Sequence, residues 1–213
     1  MAKRKGWYIV FEGIVGSGKT TQSKLLYQWL KDKYPKKTVI WTREPGGSEV
    51  AESIRKVVQG TDFKELMDPV CEQYLYAASR AQTLRTVVRP VLESGGIVVA
   101  DRSVFTSFTN QGFGRGMGLA KVLEINRAAV EDLWPDKVIY LSVPVKTGLS
   151  RTRDGGGDKF EKYGDDFYRK VVRGYRYVRK AYKQVEEVDG RGEIGEVQRR
   201  IRQVLGLEKG WRF

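Results

Sequence analysis

An apolar segment, Trp7 to Phe11, leads through Glu12 into Gly13-Ile14-Val15-Gly16-Ser17-Gly18-Lys19-Thr20, and helical periodicity begins at Lys19. The octapeptide satisfies the pattern of Gly, four variable residues, Gly, Lys and Ser or Thr, in the strand-to-helix context that the pattern requires. Glycines are needed there because the backbone must turn its N–H groups inward without Cβ atoms in the way, at the positive end of a helix. Lys19 then offers a cation to the β- and γ-phosphates, and Thr20 a hydroxyl to Mg²⁺. Gly13 to Thr20, with Thr21 beside it, is therefore the expected ATP-binding loop. It fixes a nucleoside triphosphate as ligand without saying where the phosphoryl group goes.

Short β-branched and aromatic runs recur at Trp7 to Phe11, Thr38 to Trp41, Ile97 to Ala100 and Val138 to Leu141, with a fifth short strand expected near Glu187 to Val188. Helical periodicity fills Lys19 to Tyr34, Ser48 to Gln59, Pro69 to Ser94, Leu119 to Leu133, Val145 to Arg153, Asp166 to Glu186 and Glu193 to Leu205. Strands alternating with helices predict an α/β fold around a parallel sheet. At 213 residues, without an internal repeat or a Pro-rich linker, the chain is expected to form one domain, residues 1–213.

No apolar run approaches the eighteen residues of a membrane span, and the basic start is followed by too short an apolar stretch for a secretory signal, so a cytoplasmic location is expected. There is no histidine, and Cys71 is the only cysteine, which excludes an intrachain disulfide, a cysteine metal cage and histidine acid–base chemistry. Chemistry must run on Arg, Lys, carboxylates, backbone amides and Mg²⁺. The excess of 39 basic over 26 acidic residues, +13, suits either a nucleic-acid surface or a basic face that attracts polyphosphates.

Asp101 follows the third apolar run, where P-loop proteins keep a carboxylate for Mg²⁺, so Thr20 and Asp101 are the expected metal residues. Arg102 comes next, and an arginine beside the metal carboxylate suits a second anionic substrate better than it suits attack by water. Asp154-Gly155-Gly156-Gly157-Asp158, flanked by Arg151, Arg153, Lys159 and Lys162, reads by itself as a surface loop and, beside a phosphate site, as a mobile basic lid over about residues 151–163.

Over nearly its whole length the chain resembles the thymidylate kinase family. The matching stretches are Phe11 to Gly13, the run TREPGG at Thr42 to Gly47, YLYAASR at Tyr74 to Arg80, ADRS at Ala100 to Ser103, QGFGRG at Gln111 to Gly116, and the Arg- and Gly-rich segment from Arg151 to Glu161. The resemblance implies a three-layer P-loop fold with a five-stranded parallel sheet, a mobile Gly/Arg-rich lid, a homodimer, ATP and Mg²⁺, and phosphorylation of dTMP. It implies an acceptor site built from Glu12, Arg43, Tyr76, Arg80, Arg102, Ser107, Asn110 and Gln111. Among these, Arg43 and Arg102 match the arginines that hold the acceptor phosphate, Tyr76 the ring that stacks on the base, and Arg80 the arginine that hydrogen-bonds it.

The expected catalytic residues are Lys19, Arg102, Arg151, Arg153 and Lys159. None of the variable loop positions is basic, so the lid must supply the charge for the moving phosphoryl group, and which of Arg151, Arg153 and Lys159 does so stays open. A monophosphate acceptor is largely ionised at neutral pH, so no strong general base is required. Two departures from the family pattern concern the sugar: Val15 stands where an acid is usual and Asn110 where a tyrosine is usual, which predicts relaxed selectivity. Two other readings stand beside this one. A deoxynucleoside kinase would use Glu12 as base toward a nucleoside 5′-hydroxyl, and an ATP-dependent nucleic-acid-binding protein would use the +13 charge, although the expected partners include no nucleic acid and no membrane.

Overall fold

The computed structural model describes residues 6–60, 63–152 and 163–207. β1 (Trp7–Glu12), β2 (Val39–Arg43), β3 (Ile97–Asp101), β4 (Lys137–Ser142) and β5 (Val185–Asp189) form one sheet in the order β2-β3-β1-β4-β5, with every neighbouring pair parallel. The helices among the described residues are α1 (Lys19–Lys33), α2 (Glu49–Gln59), α3 (Pro69–Thr83), α4 (Arg89–Glu93), α5 (Val104–Ser107), α6 (Leu119–Val130), α7 (Val145–Ser150), α8 (Asp165–Ala181) and α9 (Ile194–Val204).

Helices cover both faces of the sheet, which is why its strands are apolar on both sides rather than alternating with polar residues. On one face Ile9, Phe11, Ile97, Val99, Ile139 and Leu141 pack with Leu26 and Leu30 of α1 and Val197 and Ile201 of α9. On the other, Tyr8, Val10, Val98, Ala100, Val138 and Tyr140 pack with Tyr76 of α3 and with Phe167, Tyr168, Val171, Tyr175 and Val178 of α8. The expected three layers around a five-stranded parallel sheet are what the chain forms.

The elements differ from expectation in four places. The helical run from Pro69 is continuous to Glu93 but widens to a π-helix over Leu84–Val88, where the Arg89 N–H donates to the Leu84 carbonyl. Pro90 lies just beyond; it has no N–H to give and its ring would crowd a regular turn, so the wider turn relieves it. The helix expected to reach Glu186 stops at Ala181, since Tyr182 is extended and Val185–Asp189 pairs in parallel with β4, with Val185 and Val188 packed into the cores on opposite faces of the sheet. The helix expected over Val145 to Arg153 ends at Ser150, and Arg153 lies outside the described residues. Residues 104–114, given no element from the sequence, form α5 and a π-helix over Phe108–Gly114, opened by the Ser103 hydroxyl accepting from the Phe105 N–H at 3.3 Å.

Pairing levels the strand ends. Phe11 and Arg43 both stand opposite Asp101, and Glu12 opposite Tyr140, so Gly13, Glu44 and Arg102 leave the sheet at one edge. Ligands of open α/β sheets bind at that carboxyl edge.

Candidate active site

Between β1 and α1 the loop residues Gly13, Gly16 and Gly18 have φ of 146°, 69° and 91°, conformations that L side chains rarely adopt. At Gly16 the requirement is also steric, because a Cβ there would lie 2.0 Å from the Gly148 carbonyl oxygen of α7. No acidic residue stands in the first turn of α1, which leaves its positive end available to an anion. The Lys19 Nζ is held over the loop, donating to the Ile14 carbonyl at 2.6 Å and to Ser17 Oγ at 3.4 Å. Gly16 to Gln22, Arg151, Gly190, Gly192 and Ile194 enclose a cleft of about 480 Å³, a size suited to a nucleotide. Arg151 Nη1 lies 3.4 Å from the Gly16 carbonyl and 3.5 Å from that of Gly190, so it spans the mouth of this cleft.

Thr20 Oγ1 donates to Asp101 Oδ2, and Asp101 Oδ1 is buried without a partner among the described residues. A hydroxyl and a carboxylate with an unused oxygen, facing a phosphate loop, fit Mg²⁺, which takes one or two protein ligands and completes its shell with phosphate oxygens and water. No group of three or more acidic, histidine or cysteine side chains that could cage a metal occurs among the described residues.

Arg102 has φ of 78°, a strained conformation for a non-glycine residue. Its N–H donates to the Phe11 carbonyl at 2.9 Å, while the Asp101 carbonyl accepts from the Glu44 N–H at 3.0 Å, so both sides of the turn are pinned to the sheet. The guanidinium consequently reaches back toward the P-loop, with Nη1 3.5 Å from the Gly13 carbonyl and 3.4 Å from Thr106 Oγ1. A second cleft opens on its other side, lined by Glu44, Pro45, Gln59, Tyr76, Arg80, Arg102, Ser103, Thr106, Ser107 and Asn110. It is tight, with a free volume of about 20 Å³, room for about one water molecule.

Arg80 is 2% exposed and is fixed by four contacts: Nε donates to Glu44 at 2.7 Å, Nη1 to Asn126 Oδ1, and Nη2 to the Ser103 carbonyl and Ser107 Oγ, each at 3.2 Å. Three of the expected acceptor residues stand outside the cleft lining. Glu12, 0% exposed, lies behind it as a brace: its two oxygens accept from the N–H groups of Ser103 and Thr106, from both their hydroxyls and from Tyr175. Burial, together with the Glu12 charge, pushes the Tyr175 phenol far above its ordinary pKa, so it stays a donor. Gln111 donates to buried Glu72 at 3.0 Å, which also takes Arg115 at 2.7 Å. Arg43 is turned onto Glu52, at 3.2 Å through Nε and 2.9 Å through Nη2, and this contact holds the Glu52 carboxyl below the usual range.

Sequence reasoning missed the supports: Asn126 and Glu44 around Arg80, Thr106 and Tyr175 around Glu12, and Gly148 beneath the P-loop. Tyr175 falls on the buried stripe of α8, which periodicity could have placed in the core but not against Glu12. Of the expected lid, Arg151 is placed, while Arg153 and Lys159 lie outside the described residues.

The thymidylate kinase family model matches residues 11–201. A thymidylate kinase of Caldicellulosiruptor saccharolyticus is 38% identical over 202 residues, covering 94% of this chain and 96% of that protein. One of Halothermothrix orenii is 41% identical over 184 residues, 86% of this chain and 85% of its own. The crystal structure of thymidylate kinase from Ehrlichia chaffeensis superposes with a TM-score of 0.77 at 28% identity, covering 94% of this chain and 98% of that one. A phosphate loop and a second cleft joined by a strained arginine at one sheet edge, in a chain matched along nearly its full length, lead to one conclusion: the chain belongs to the thymidylate kinase family.

Proposed function

We propose that this chain transfers the γ-phosphoryl group of ATP to dTMP, giving ADP and dTDP. The observation that carries this reading is the position of Arg102 between two clefts, one built on a phosphate loop and the other on Tyr76 and Arg80. Donor and acceptor phosphates repel each other, so the work of the protein is to align them and to neutralise charge on the moving group. In this reading Gly13, Ile14, Val15, Gly16, Ser17, Gly18 and Thr21 cradle ATP through the loop backbone, and Lys19 faces its β- and γ-phosphates. Thr20 and Asp101 would hold Mg²⁺, which would offset the negative charge of the phosphates. Arg102 bridges the acceptor phosphate to the donor, and Arg43 joins it on release from Glu52. Tyr76 supplies a ring face to the base and Arg80 a fixed guanidinium, with Ser107 and Asn110 in the wall. Gln111 acts on the site through Glu72. Arg151, Arg153 and Lys159 supply lid charge. A nucleotide exceeds the free volume of the second cleft, so its binding parts the walls.

We read residues 1–213 as one catalytic domain with a lid over about 151–163, working in the cytoplasm; no described helix is long and apolar enough to cross a membrane. Val50 and Val57 on α2, Leu66, Tyr74 on α3 and Leu123 on α6 are exposed apolar side chains, and Leu66 is 98% exposed; they support a homodimer.

Glu12 argues against a nucleoside 5′-hydroxyl as acceptor. A neutral hydroxyl needs a base, and both Glu12 oxygens are already engaged by five donors. Coupled ADP release should therefore be supported by dTMP and not by thymidine. Turnover of thymidine at a rate comparable to dTMP would replace the proposal with a nucleoside kinase.

A further inference from the structure

A third concavity, of about 900 Å³, lies between α8 and the carboxyl ends of β4 and β5 and shares no lining residue with the two clefts already described. Arg169, Arg173, Arg176 and Arg179 of α8 line it, with Arg191 from the loop after β5. Residues three and four apart share a helix face, so Arg169, Arg173 and Arg176 form one row about 10 Å long. Like charges at that spacing repel.

The carboxylates of the groove make their close contacts to other cations, although the charge of Asp166 is felt by Arg173 and Arg169. Glu187 pairs with Arg179 at 3.0 Å, Asp166 with Lys170 at 2.7 Å, and Asp189 with Arg191 at 2.7 Å. Arg191 grips Asp189 through its side chain and N–H, holding that carboxyl down at about 2. Arg169 makes its one ion pair among the described residues with Asp165, at 3.9 Å, and Arg173 and Arg176 line the groove without a hydrogen bond or close ion pair to another described residue. Elsewhere on the surface, arginines find acids: Arg89 meets Glu93, Glu131 and Asp132.

One wall of the otherwise polar groove is apolar. Tyr140 stacks on Tyr175 with ring centroids 4.6 Å apart, and burial pushes its phenol pKa up so that it stays neutral. Val143, Val145 and Val172 line the groove beside it. Guanidinium forks match phosphate oxygens two at a time, and a cavity of this size with one apolar wall accepts a molecule the size of a nucleotide.

We propose that this groove is a second anion site, separate from the P-loop cleft, that binds a polyphosphate chain, carried either by a nucleoside triphosphate or by a free polyphosphate. Asp189 and Arg191 of the groove flank Gly190 of the P-loop cleft, so one loop forms a wall of each.

Equilibrium dialysis of the full chain tests this with ATP, inorganic tripolyphosphate and a short oligothymidylate as probes, near physiological ionic strength. The wild-type chain should hold about two equivalents of ATP, a number that follows from one ligand per cleft. Tripolyphosphate should displace the second of them. Arg173→Gln combined with Arg176→Gln should weaken that second site roughly tenfold or more through the loss of two charge-assisted contacts, with the folded circular-dichroism spectrum retained. Glu187→Gln, which frees Arg179 from its acid, should tighten it. Tighter binding by ATP than by tripolyphosphate identifies a nucleotide as the natural form of the ligand, and equal binding a free polyphosphate. A single ATP equivalent in the wild type, or a second equivalent insensitive to all three substitutions, would overturn the proposal. So would oligothymidylate bound far more tightly by the same arginines, which would make the groove a nucleic-acid surface.

Discussion

Asn110, 7% exposed, stands in the wall of the acceptor cleft, while Val15 is half-buried against the core and does not line that cleft. A site rejects an analogue strongly when an added atom has no room or when its own polar group is left unpaired. Neither residue can serve as a carboxylate partner for a 3′-hydroxyl, and Asn110 is too small to crowd out a ribose 2′-hydroxyl. UMP should therefore be a measurable acceptor alongside dUMP, and Asn110→Tyr should suppress UMP more than dUMP. Absence of any turnover of UMP, or competition by it, at saturating concentration would contradict this. A second residue-scale consequence concerns pH. The folded pKa of Asp189, about 2, lies below its ordinary 3.8, so the Arg191 contact stabilises the fold above about pH 4 and that contribution fades as pH falls toward 2. The side chain is 42% exposed, so solvent screening keeps the effect small. Arg191→Ala, which keeps the N–H at that position, should raise the Asp189 titration, followed by carboxyl carbon NMR, toward the ordinary range, and an unmoved titration would show that another group holds it down.

Short helix α7 buttresses the P-loop from below. The alanine Cβ of a Gly148→Ala variant would lie 2.6 Å from the Val15 carbonyl and 2.8 Å from the Ile14 Cδ1, so the loop backbone must shift. If the loop binds phosphate through its backbone, as proposed, this change should weaken ATP binding about tenfold or more while dTMP still binds, measured by calorimetry. Unchanged ATP affinity would show that the loop is held by α1 alone. The contact also shows which elements could be read from the sequence. The P-loop, Asp101 and Arg102 were legible because each sits in a contiguous run with one structural meaning. Gly148 was not, since nothing in Val145 to Ser150 signals that its backbone meets Gly16. The Glu12 brace joins residues 91, 94 and 163 positions away in sequence, and spacing carries no such information. Element ends failed for local reasons: the charged segment Val185 to Asp189 prolongs the helical pattern of α8, and only its place at the sheet edge makes it a strand.

At the scale of the molecule, parallel strands bring Gly13, Glu44 and Arg102 to one edge, so that Arg102 lines the second cleft and reaches to within 3.5 Å of the Gly13 carbonyl of the P-loop. The order β2-β3-β1-β4-β5 accounts for this, since the strand that leads to the P-loop is central and its neighbour carries Asp101. It also accounts for chemistry without histidine, because the sheet edge gathers Lys, Arg and a carboxylate for a reaction that needs charge and alignment rather than a strong base. Part of the +13 charge stands at the two clefts, Lys19 and Arg151 lining the first and Arg102 the second. The most direct measurement is to incubate the purified chain with Mg²⁺, dTMP and ATP labelled in the γ-phosphate and to separate the nucleotides. Label should appear in dTDP at a rate that Lys19→Ala lowers by several orders of magnitude, because no other loop side chain replaces that cation. Label recovered only as inorganic phosphate, or dTDP formed equally well by Lys19→Ala, would contradict the account.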